Sequence, residues 1–219
     1  MCIRDRVEKY ALLPDEIDRL SIEVVEASLP DLKDLTPEER YVVFRVVRAE
    51  GDPEISKNVG FSPGAVSKGI AAVKAKAAVV TDVRMVEVGI SKALLRKCGL
   101  TTHCQIDTPN TAERAKEDGT TRSVAAIREL APYLNGAIAV VGNAPTALLA
   151  LLDMIKDGDV SPALVIGMPV GFIACAESKA ELAKVDVPYI SIWEKRGGSS
   201  AAAATMNALL GLALQEVTL

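Results

Sequence analysis

Short apolar runs alternate with amphipathic segments along most of the chain, and this alternation predicts its secondary structure. The runs that indicate buried strands are residues 77–82, 102–107, 137–143, 163–169 and 187–192. The segments with the apolar spacing of helices are residues 110–118, 122–134, 146–157, 175–185 and 199–215. Strands that alternate with helices form βαβ units. We therefore predict an α/β fold with a doubly wound, mainly parallel five-stranded sheet of the Rossmann-like type.

The N-terminal section has a different, purely helical pattern. Residues 7–35 are polar with a helical period, and Pro14 marks the start of a helix that Pro30 ends. The chain has no internal repeat and no linker-like stretch that would separate domains. We therefore predict a single domain over residues 1–219 with a helical N-terminal section. The first six residues, MCIRDR, fit the helical pattern of residues 7–35 poorly, so we treat them as a candidate assembly artefact and give them no weight.

A second helix comes next and has a clear start signal. Thr36 is the predicted N-cap, and Glu39 completes a capping box with it. Arg45 and Arg48 lie three positions apart in this apolar helix and therefore share one face. Ser62 is predicted to cap a third helix by the same logic. The pattern alone leaves open whether the two arginines form a solvated edge or point into a site.

Composition narrows the range of functions. Of the 219 residues, 49% are apolar and only 4% are aromatic, which is typical of helices packed on a buried parallel sheet. The formal net charge is −4 and no Lys/Arg block is present, so we predict no nucleic-acid partner. The apolar stretches are interrupted before about 18 residues, so no membrane span is predicted. The N-terminus lacks the hydrophobic segment of a signal peptide.

The cysteines and the single histidine offer little chemistry. The four cysteines are scattered, without a CxxC pair or histidines at ligand spacing, which predicts no metal site and a reducing cytoplasm. Cys98 and Cys175 have no basic neighbour in sequence, so we predict no nucleophilic role for them. His103 lies in a predicted strand and is interpreted as a packing residue.

The segments after the predicted strands are better candidates, because ligands of open α/β sheets bind at the carboxyl ends of the strands. These segments are rich in glycine and helix starts, which offer N–H donors to anions, and Arg84, Arg122 and Arg196 add carboxylate or phosphate clamps. The predicted ligand is a large polyanion, either a nucleotide or a polycarboxylate. Neither GxxxxGK[ST] nor a strand-following GxGxxG occurs, which favours a polycarboxylate over a nucleotide-dependent enzyme.

Several long segments together resemble one family, the precorrin-8X methylmutases of corrin (vitamin B12) biosynthesis. They are FSPGAV (61–66), TDVRMVEVGI (81–90), TTRSVAAI (120–127), GNAPTALLALLDMI (142–155), PALVIGMPVGFIACAESKAEL (162–182) and VPYISIWEKRGGSSAAAATMNAL (187–209). The matches run in order over most of the chain.

The resemblance implies a homodimeric, cytoplasmic isomerase, a methylmutase that moves a methyl group from one ring carbon of a tetrapyrrole to its neighbour. It implies no redox cofactor, nucleotide or catalytic metal. The substrate carries several carboxylates, which matches the predicted edge, and it is either cobalt-bearing or metal-free. The residues assigned to substrate binding by resemblance and strand-end position are Asp82, Arg84, Arg122, Ser123, Asn143, Thr146, Gly171, Ser178, Arg196, Gly197, Gly198 and Ser199.

The resemblance also exposes one departure from the family. Its members are thought to protonate the macrocycle from a histidine in a helix ending of the form R-hydrophobic-hydrophobic-H-A-x-G-D. The equivalent stretch here is RVVRAEGD (45–52), so Arg48 occupies the position of the acid. Arginine is a poor proton donor, although it can stabilise negative charge or bind a carboxylate. Losing acid catalysis typically costs about 10²–10⁴ in rate.

Two functions therefore remain open. The first is a methylmutase whose acid step at Arg48 is altered or impaired. The second is a non-catalytic tetrapyrrole- or corrinoid-binding carrier, because the binding edge is intact and only the proton donor is replaced. His103 could supply the missing acid only if the fold brought its strand end to the same face.

Overall fold

A computed structural model of the chain describes residues 13–30 and 32–216. Residues 1–6 and the first part of the 7–35 segment, up to residue 12, lie outside the described residues. The helices are α1 (Pro14–Ser28), α2 (Pro37–Glu50), α3 (Ala65–Lys74), α4 (Arg84–Gly89), α5 (Lys92–Cys98), α6 (Pro109–Glu117), α7 (Arg122–Glu129), α8 (Pro145–Lys156), α9 (Cys175–Leu182) and α10 (Ser199–Leu214). The strands are β1 (Val59–Phe61), β2 (Val79–Thr81), β3 (Thr102–His103), β4 (Ile138–Val141), β5 (Leu164–Gly167) and β6 (Tyr189–Ile192). Short 3₁₀ helices cover Pro53–Asn58 and Ala131–Tyr133.

The six strands form one sheet in the order β1-β6-β5-β4-β2-β3. Strands β2 to β6 pair in parallel, and β1 pairs antiparallel with β6. The predicted α/β class and mainly parallel sheet are confirmed. The sixth strand, β1, was not predicted, because three half-buried edge residues carry no apolar pattern.

Helices cover both faces of the sheet, as the βαβ pattern requires. Along β4, Ile138 and Val140 belong to one core cluster with residues of α2, α3 and α10. Ala139 and Val141 belong to a second cluster with residues of α7, α8 and α9. Helix α10 is buried almost all round and lies between α2 and the sheet. None of the described helices is long and apolar enough to cross a membrane.

The helix starts test the capping predictions. The Thr36 hydroxyl accepts a hydrogen bond from the Glu39 amide at 3.2 Å, and the Glu39 carboxylate accepts from the Thr36 amide at 2.9 Å, so the capping box is confirmed. The prediction for Ser62 is wrong. Helix α3 is preceded by Gly64, which makes no side-chain cap, while the Ser62 hydroxyl accepts from the Tyr189 amide at 2.8 Å. Ser62 therefore joins the start of β6 to the end of β1.

Other boundaries differ from the prediction as well. The second predicted strand, 102–107, is reduced to the two residues of β3, and helix 122–134 ends as α7 at Glu129 before a 3₁₀ turn. Helices α4 and α5 were not predicted, because they have only six and seven residues and show little periodicity. These short helices matter because α4 ends at Gly89, which lines a cavity beside α10.

Candidate functional site

An open cavity of about 540 Å³ lies between the C-terminal half of α2 and the N-terminal half of α10. It is lined by Arg45, Arg48, Ala49, Gly89, Ser200, Ala203, Ala204 and Asn207. Val46 and Val47 of α2 are buried in the core, so the helical period leaves the two arginines on the opposite, outward face. Arg45 and Arg48 therefore line a cavity and do not lie on a plain solvated edge.

Two polar contacts join the end of α2 to the start of α10. The Arg196 guanidinium donates to the Asp52 carboxylate, and the Ser200 hydroxyl donates to the Glu50 carboxylate. Asp52 also accepts from the Glu54 amide at 3.0 Å, which fixes its carboxylate at the start of a 3₁₀ helix. Arg196, predicted to bind substrate, is not among the lining residues and is held by an ion pair just beyond the end of α2.

Hydrogen bonds brace the cavity wall on both sides. The Arg45 guanidinium donates to the Tyr41 hydroxyl at 3.0 Å, one turn earlier in α2. The Asn207 side chain donates to the Gly89 carbonyl at 3.0 Å and accepts from the Ser91 amide at 2.7 Å, which ties α10 to the turn between α4 and α5. Sequence reasoning missed Asn207, although an amide inside an otherwise apolar helix was a usable signal.

The sheet has its topological switch point between β2 and β4, because β2 continues towards β3 on one side and β4 towards β5 on the other. Asp82 follows β2 there and is almost completely buried. Its carboxylate accepts from the amides of Gly142 at 3.1 Å, Asn143 at 2.9 Å and Ala144 at 2.9 Å. Burial raises the pKa of Asp82, and the three backbone donors oppose that shift. Asp82 faces the interior and shapes the β4–α8 turn.

Arg84 follows on the exposed side of the same edge. Its guanidinium Nε lies 3.1 Å from both Asp107 carboxylate oxygens, and its Nη1 lies 2.6 Å from Glu87. These hydrogen bonds raise the pKa of Arg84, and the bond from Arg84 lowers the pKa of Asp107. Arg84 is therefore already paired with two carboxylates.

The structure brings the starts of α7 and α8 together. The hydroxyls of Thr121 and Thr146 lie 3.3 Å apart, and the Thr121 hydroxyl also caps α7. Arg122 and Asn143 are exposed beside them, and Ser123 is half-buried. Within the described part of the chain, Arg122 makes no ion pair, so this group of predicted residues remains accessible to a ligand.

Ser178 is the other predicted residue that faces inward. It is fully buried in α9, and its hydroxyl donates to the Cys175 carbonyl at 2.9 Å. A substrate-binding role for its side chain therefore requires a rearrangement of α9, and its direct role in this structure is to satisfy a buried carbonyl.

The predicted glycines form the loop that leads into α10. Gly197 and Gly198 have φ values of 130° and 139°, and a Cβ on Gly197 would lie 2.5 Å from the Met168 carbonyl oxygen. The Gly198 amide donates to the same oxygen at 2.9 Å. Gly171, on the facing loop, has a φ of 152°, and Ser199 is nearly buried at the start of α10. Only glycine allows this close approach of the two loops.

His103 and the cysteines lie outside the cavity lining. The His103 ring stacks on Tyr133 with ring centres 4.0 Å apart, which agrees with a packing role. Cys98, Cys104 and Cys175 are free thiols, and burial raises the pKa of Cys98 and Cys104, which disfavours a thiolate nucleophile. In residues 13–30 and 32–216, no three His, Cys, Asp or Glu side chains form a group that could hold a metal ion.

Comparison with known proteins gives this geometry a family. Residues 16–212 match the family model described as precorrin-8X methylmutase. The chain belongs to the precorrin-8X methylmutase family. It is therefore a methylmutase, an isomerase of corrin biosynthesis, and the predicted family and enzyme class are confirmed.

Individual relatives agree with the family assignment. A cobalt-precorrin-8 methylmutase of Priestia megaterium is 38% identical over 218 residues, covering 100% of this chain and 96% of the relative. A precorrin-8X methylmutase of Sinorhizobium sp. is 41% identical over 181 residues, covering 82% and 86%. The crystal structure of precorrin-8X methyl mutase from Thermus thermophilus superimposes with a TM-score of 0.85 at 38% identity, covering 92% of this chain and 97% of that one. The methylmutase fold is thus shared over nearly its full length.

Proposed function

We propose that this methylmutase acts on precorrin-8X or cobalt-precorrin-8, moving a methyl group between adjacent ring carbons, and that one edge of the tetrapyrrole enters the cavity between α2 and α10. The observation that carries the proposal is the pair Arg45 and Arg48, which line the cavity side by side in a member of this family. Guanidinium groups bind carboxylates through paired, charge-assisted hydrogen bonds. The cavity volume lies within the roughly 300–1,000 Å³ of small-molecule sites.

Further substrate contacts are proposed along the strand-end edge. A peripheral carboxylate would bind at the starts of α7 and α8, at Arg122, Ser123, Asn143 and Thr146, and the exposure of Arg122 and Asn143 supports this. Arg196 and the Gly197–Ser199 segment would bound the other end, beside the α2/α10 cavity. Four other predicted residues would act mainly by holding this edge in shape: Asp82, Arg84, Gly171 and Ser178. The side chains of Asp82, Arg84 and Ser178 already make hydrogen bonds within the protein.

Arg48 decides how well the reaction proceeds. At the position of the family's acid histidine, a guanidinium supplies a fixed positive charge and no readily donated proton. It would stabilise negative charge that develops on the macrocycle, while protonation would depend on solvent. We therefore propose an isomerase with a weakened acid step.

The same observation favours a second function, a non-catalytic carrier of a corrinoid intermediate. A cavity lined by two arginines retains a polycarboxylate without needing a proton donor. In this case the chain would bind the tetrapyrrole and leave it unchanged.

One experiment separates the two functions. The purified protein and the variant Arg48→His are incubated with precorrin-8X or its cobalt form, and the visible spectrum is followed. Restoring the acid is expected to raise turnover by about 10²–10⁴. The matched control is Arg96→His, the same substitution at an exposed position in α5 outside the cavity, which should leave turnover unchanged.

The outcomes are distinct. Tight binding without turnover in both wild type and Arg48→His would favour the carrier and contradict the isomerase. Absence of any tetrapyrrole binding would contradict both. An equal gain in Arg96→His would show that the added histidine acts outside the cavity.

The proposal includes a cytoplasmic homodimer. Phe172 and Ile173 are 88% and 86% exposed on the loop after β5, and Met85 and Val88 of α4 are also exposed, which supports a protein contact at this edge of the sheet. The three described cysteines are free thiols, which supports a reducing compartment. Sedimentation velocity would report the mass of the assembly directly.

A further inference from the structure

Lys179 is a buried charge that the proposed chemistry does not use. It lies in the middle of α9 with 0% of its surface exposed, and it is absent from the cavity lining. Lysine is almost never fully buried without partners. Among the described residues its partners include no carboxylate: its Nζ donates to the Glu194 carbonyl at 3.0 Å and to the Arg196 carbonyl at 2.5 Å.

Both carbonyls belong to the loop between β6 and α10. Cys175, one helical turn before Lys179, places its sulfur 3.1 Å from the Pro169 carbonyl oxygen and 3.5 Å from the Glu194 carbonyl oxygen. Helix α9 thus contacts the 194–198 loop and the loop after β5 with two neighbouring side chains. Burial lowers the pKa of Lys179, and the nearby Cys175 side chain opposes that shift.

The 194–198 loop has three residues with positive φ values, so its shape depends on contacts with its surroundings. Glu194, a non-glycine residue, has a φ of 61°, and Gly197 and Gly198 also have positive φ values. Such a conformation is strained at a non-glycine residue and persists only where the surroundings enforce it. The loop is held on one side by the two Lys179 hydrogen bonds and the Cys175 sulfur. On the other side it is held by the Met168 carbonyl and by the Gly171 amide, which donates to the Lys195 carbonyl at 3.4 Å.

The loop shape matters because of what the loop carries. The Arg196 side chain leaves it to pair with Asp52 at the end of α2, and α10 begins three residues later with the Ser200 contact to Glu50. A shift of the Lys179 amine would therefore move the loop and, with it, the Arg196–Asp52 and Ser200–Glu50 contacts between α10 and the end of α2.

We propose that Lys179 is a positioning residue of the methylmutase, which holds the 194–198 loop so that Arg196 and the start of α10 stay aligned with the α2 arginines. This inference rests on the proposed function in that it assigns the substrate to the α2/α10 cavity. Its structural part, the holding of the loop, is testable without substrate.

The test replaces the amine by an apolar chain of similar length, Lys179→Met. Two controls match it: Lys184→Met removes an exposed lysine near the same helix, and Leu152→Ala destabilises the same core from α8 without touching the loop. Trypsin cleavage after Lys195 and Arg196, identified by mass spectrometry, reports loop release. Emission of Trp193, the single tryptophan, reports the adjacent backbone.

Lys179→Met is expected to be cleaved rapidly at the loop and to shift the Trp193 emission. Both controls should keep the wild-type loop cleavage and emission in the folded state, although Leu152→Ala is less stable. With cobalt-precorrin-8, KM should rise by about 10- to 100-fold while kcat changes less, because a misplaced clamp weakens binding first. The effects of Lys179→Met and Arg196→Ala on KM should be less than multiplicative, since both act through one loop.

Several results would overturn the proposal. The first is a protease-resistant loop with unchanged KM in Lys179→Met. The second is a rise of KM in Leu152→Ala as large as that in Lys179→Met. The third is a double variant in which the effects of Lys179→Met and Arg196→Ala on KM multiply. If Lys179→Met does not fold, Lys179→Gln replaces it, because glutamine keeps a donor but is one bond too short to reach both loop carbonyls; a protease-resistant loop with unchanged KM in that variant would equally contradict the proposal. If no tetrapyrrole binds to wild type, the proposed function fails, while the trypsin and Trp193 measurements still decide whether Lys179 holds the loop.

Discussion

The buried carboxylate of Asp82 should be a strong determinant of stability. Replacing it with alanine leaves the amides of Gly142 and Ala144 buried without an acceptor, while the part-buried Asn143 amide can reach water. Each unsatisfied buried donor costs about 1–3 kcal/mol, and relief of the desolvated charge returns part of it. We expect a net loss of about 2–4 kcal/mol for Asp82→Ala. Asp82→Asn keeps one acceptor oxygen and should lose about half as much.

Thermal unfolding followed by circular dichroism measures these losses. For a chain of about 200 residues, 1 kcal/mol corresponds to a shift in Tm of about 2–4 °C, so Asp82→Ala should unfold roughly 4–16 °C below wild type. Asp118→Ala, at an exposed aspartate after α6, is the matched control and should change stability by less than about 0.5 kcal/mol.

The pH dependence gives a second check on Asp82. Its pKa is raised in the folded protein, so the native state holds the proton more tightly than the unfolded chain. The contribution is therefore fully present below the unfolded value of about 4 and is lost as the pH rises through the folded value. The advantage of wild type over Asp82→Asn should shrink as the pH rises. A Tm for Asp82→Ala equal to that of wild type, or an advantage that grows with pH, would refute this account.

Two other predictions concern the same edge. The Arg84 hydrogen bond lowers the pKa of Asp107, so the Asp107 carboxyl should titrate below 3.8 by NMR and return towards that value in Arg84→Met. The stability that this pair adds is present above about pH 4 and is lost as the pH falls. An Asp107 titration that is unchanged in Arg84→Met would contradict this prediction. Gly142→Ala places a Cβ 2.7 Å from Val86 and 3.0 Å from the Ser199 Cα, so chemical denaturation should show a loss of about 1–3 kcal/mol, and wild-type stability would disprove the close contact.

The parallel sheet could be predicted because buried strands and helices alternate with distinct periods. What escaped prediction depends on contacts distant in sequence. Strand β1 exists because Val59 and Phe61 pair with β6, about 130 residues away, and Ser62 bonds to Tyr189 over the same separation. Local rules for helix caps gave Ser62 a plausible role that the tertiary contact overrides.

The environment of the candidate site residues was harder to predict for the same reason. Strand-end position selected Asp82 and Ser178 as candidates, but both side chains are buried in the structure, and burial cannot be read from position alone. Lys179 beside them was not selected, since its partners are backbone carbonyls with no sequence signal. Arg48 was found because a motif drew attention to a single departure in a helix that the hydrophobic pattern had already placed.

Arg48 also makes the pH profile of the reaction informative. An arginine side chain is a poor proton donor, so any turnover by wild type should show no histidine-like midpoint between about pH 5.5 and 8. Arg48→His introduces a group that titrates near 6.5, and its rate should fall as the pH rises through that region because the acid form is lost. A wild-type rate that already falls with a histidine-like midpoint would contradict this reasoning. It would direct attention to His103, the single histidine of the chain, which stacks on Tyr133 outside the cavity lining.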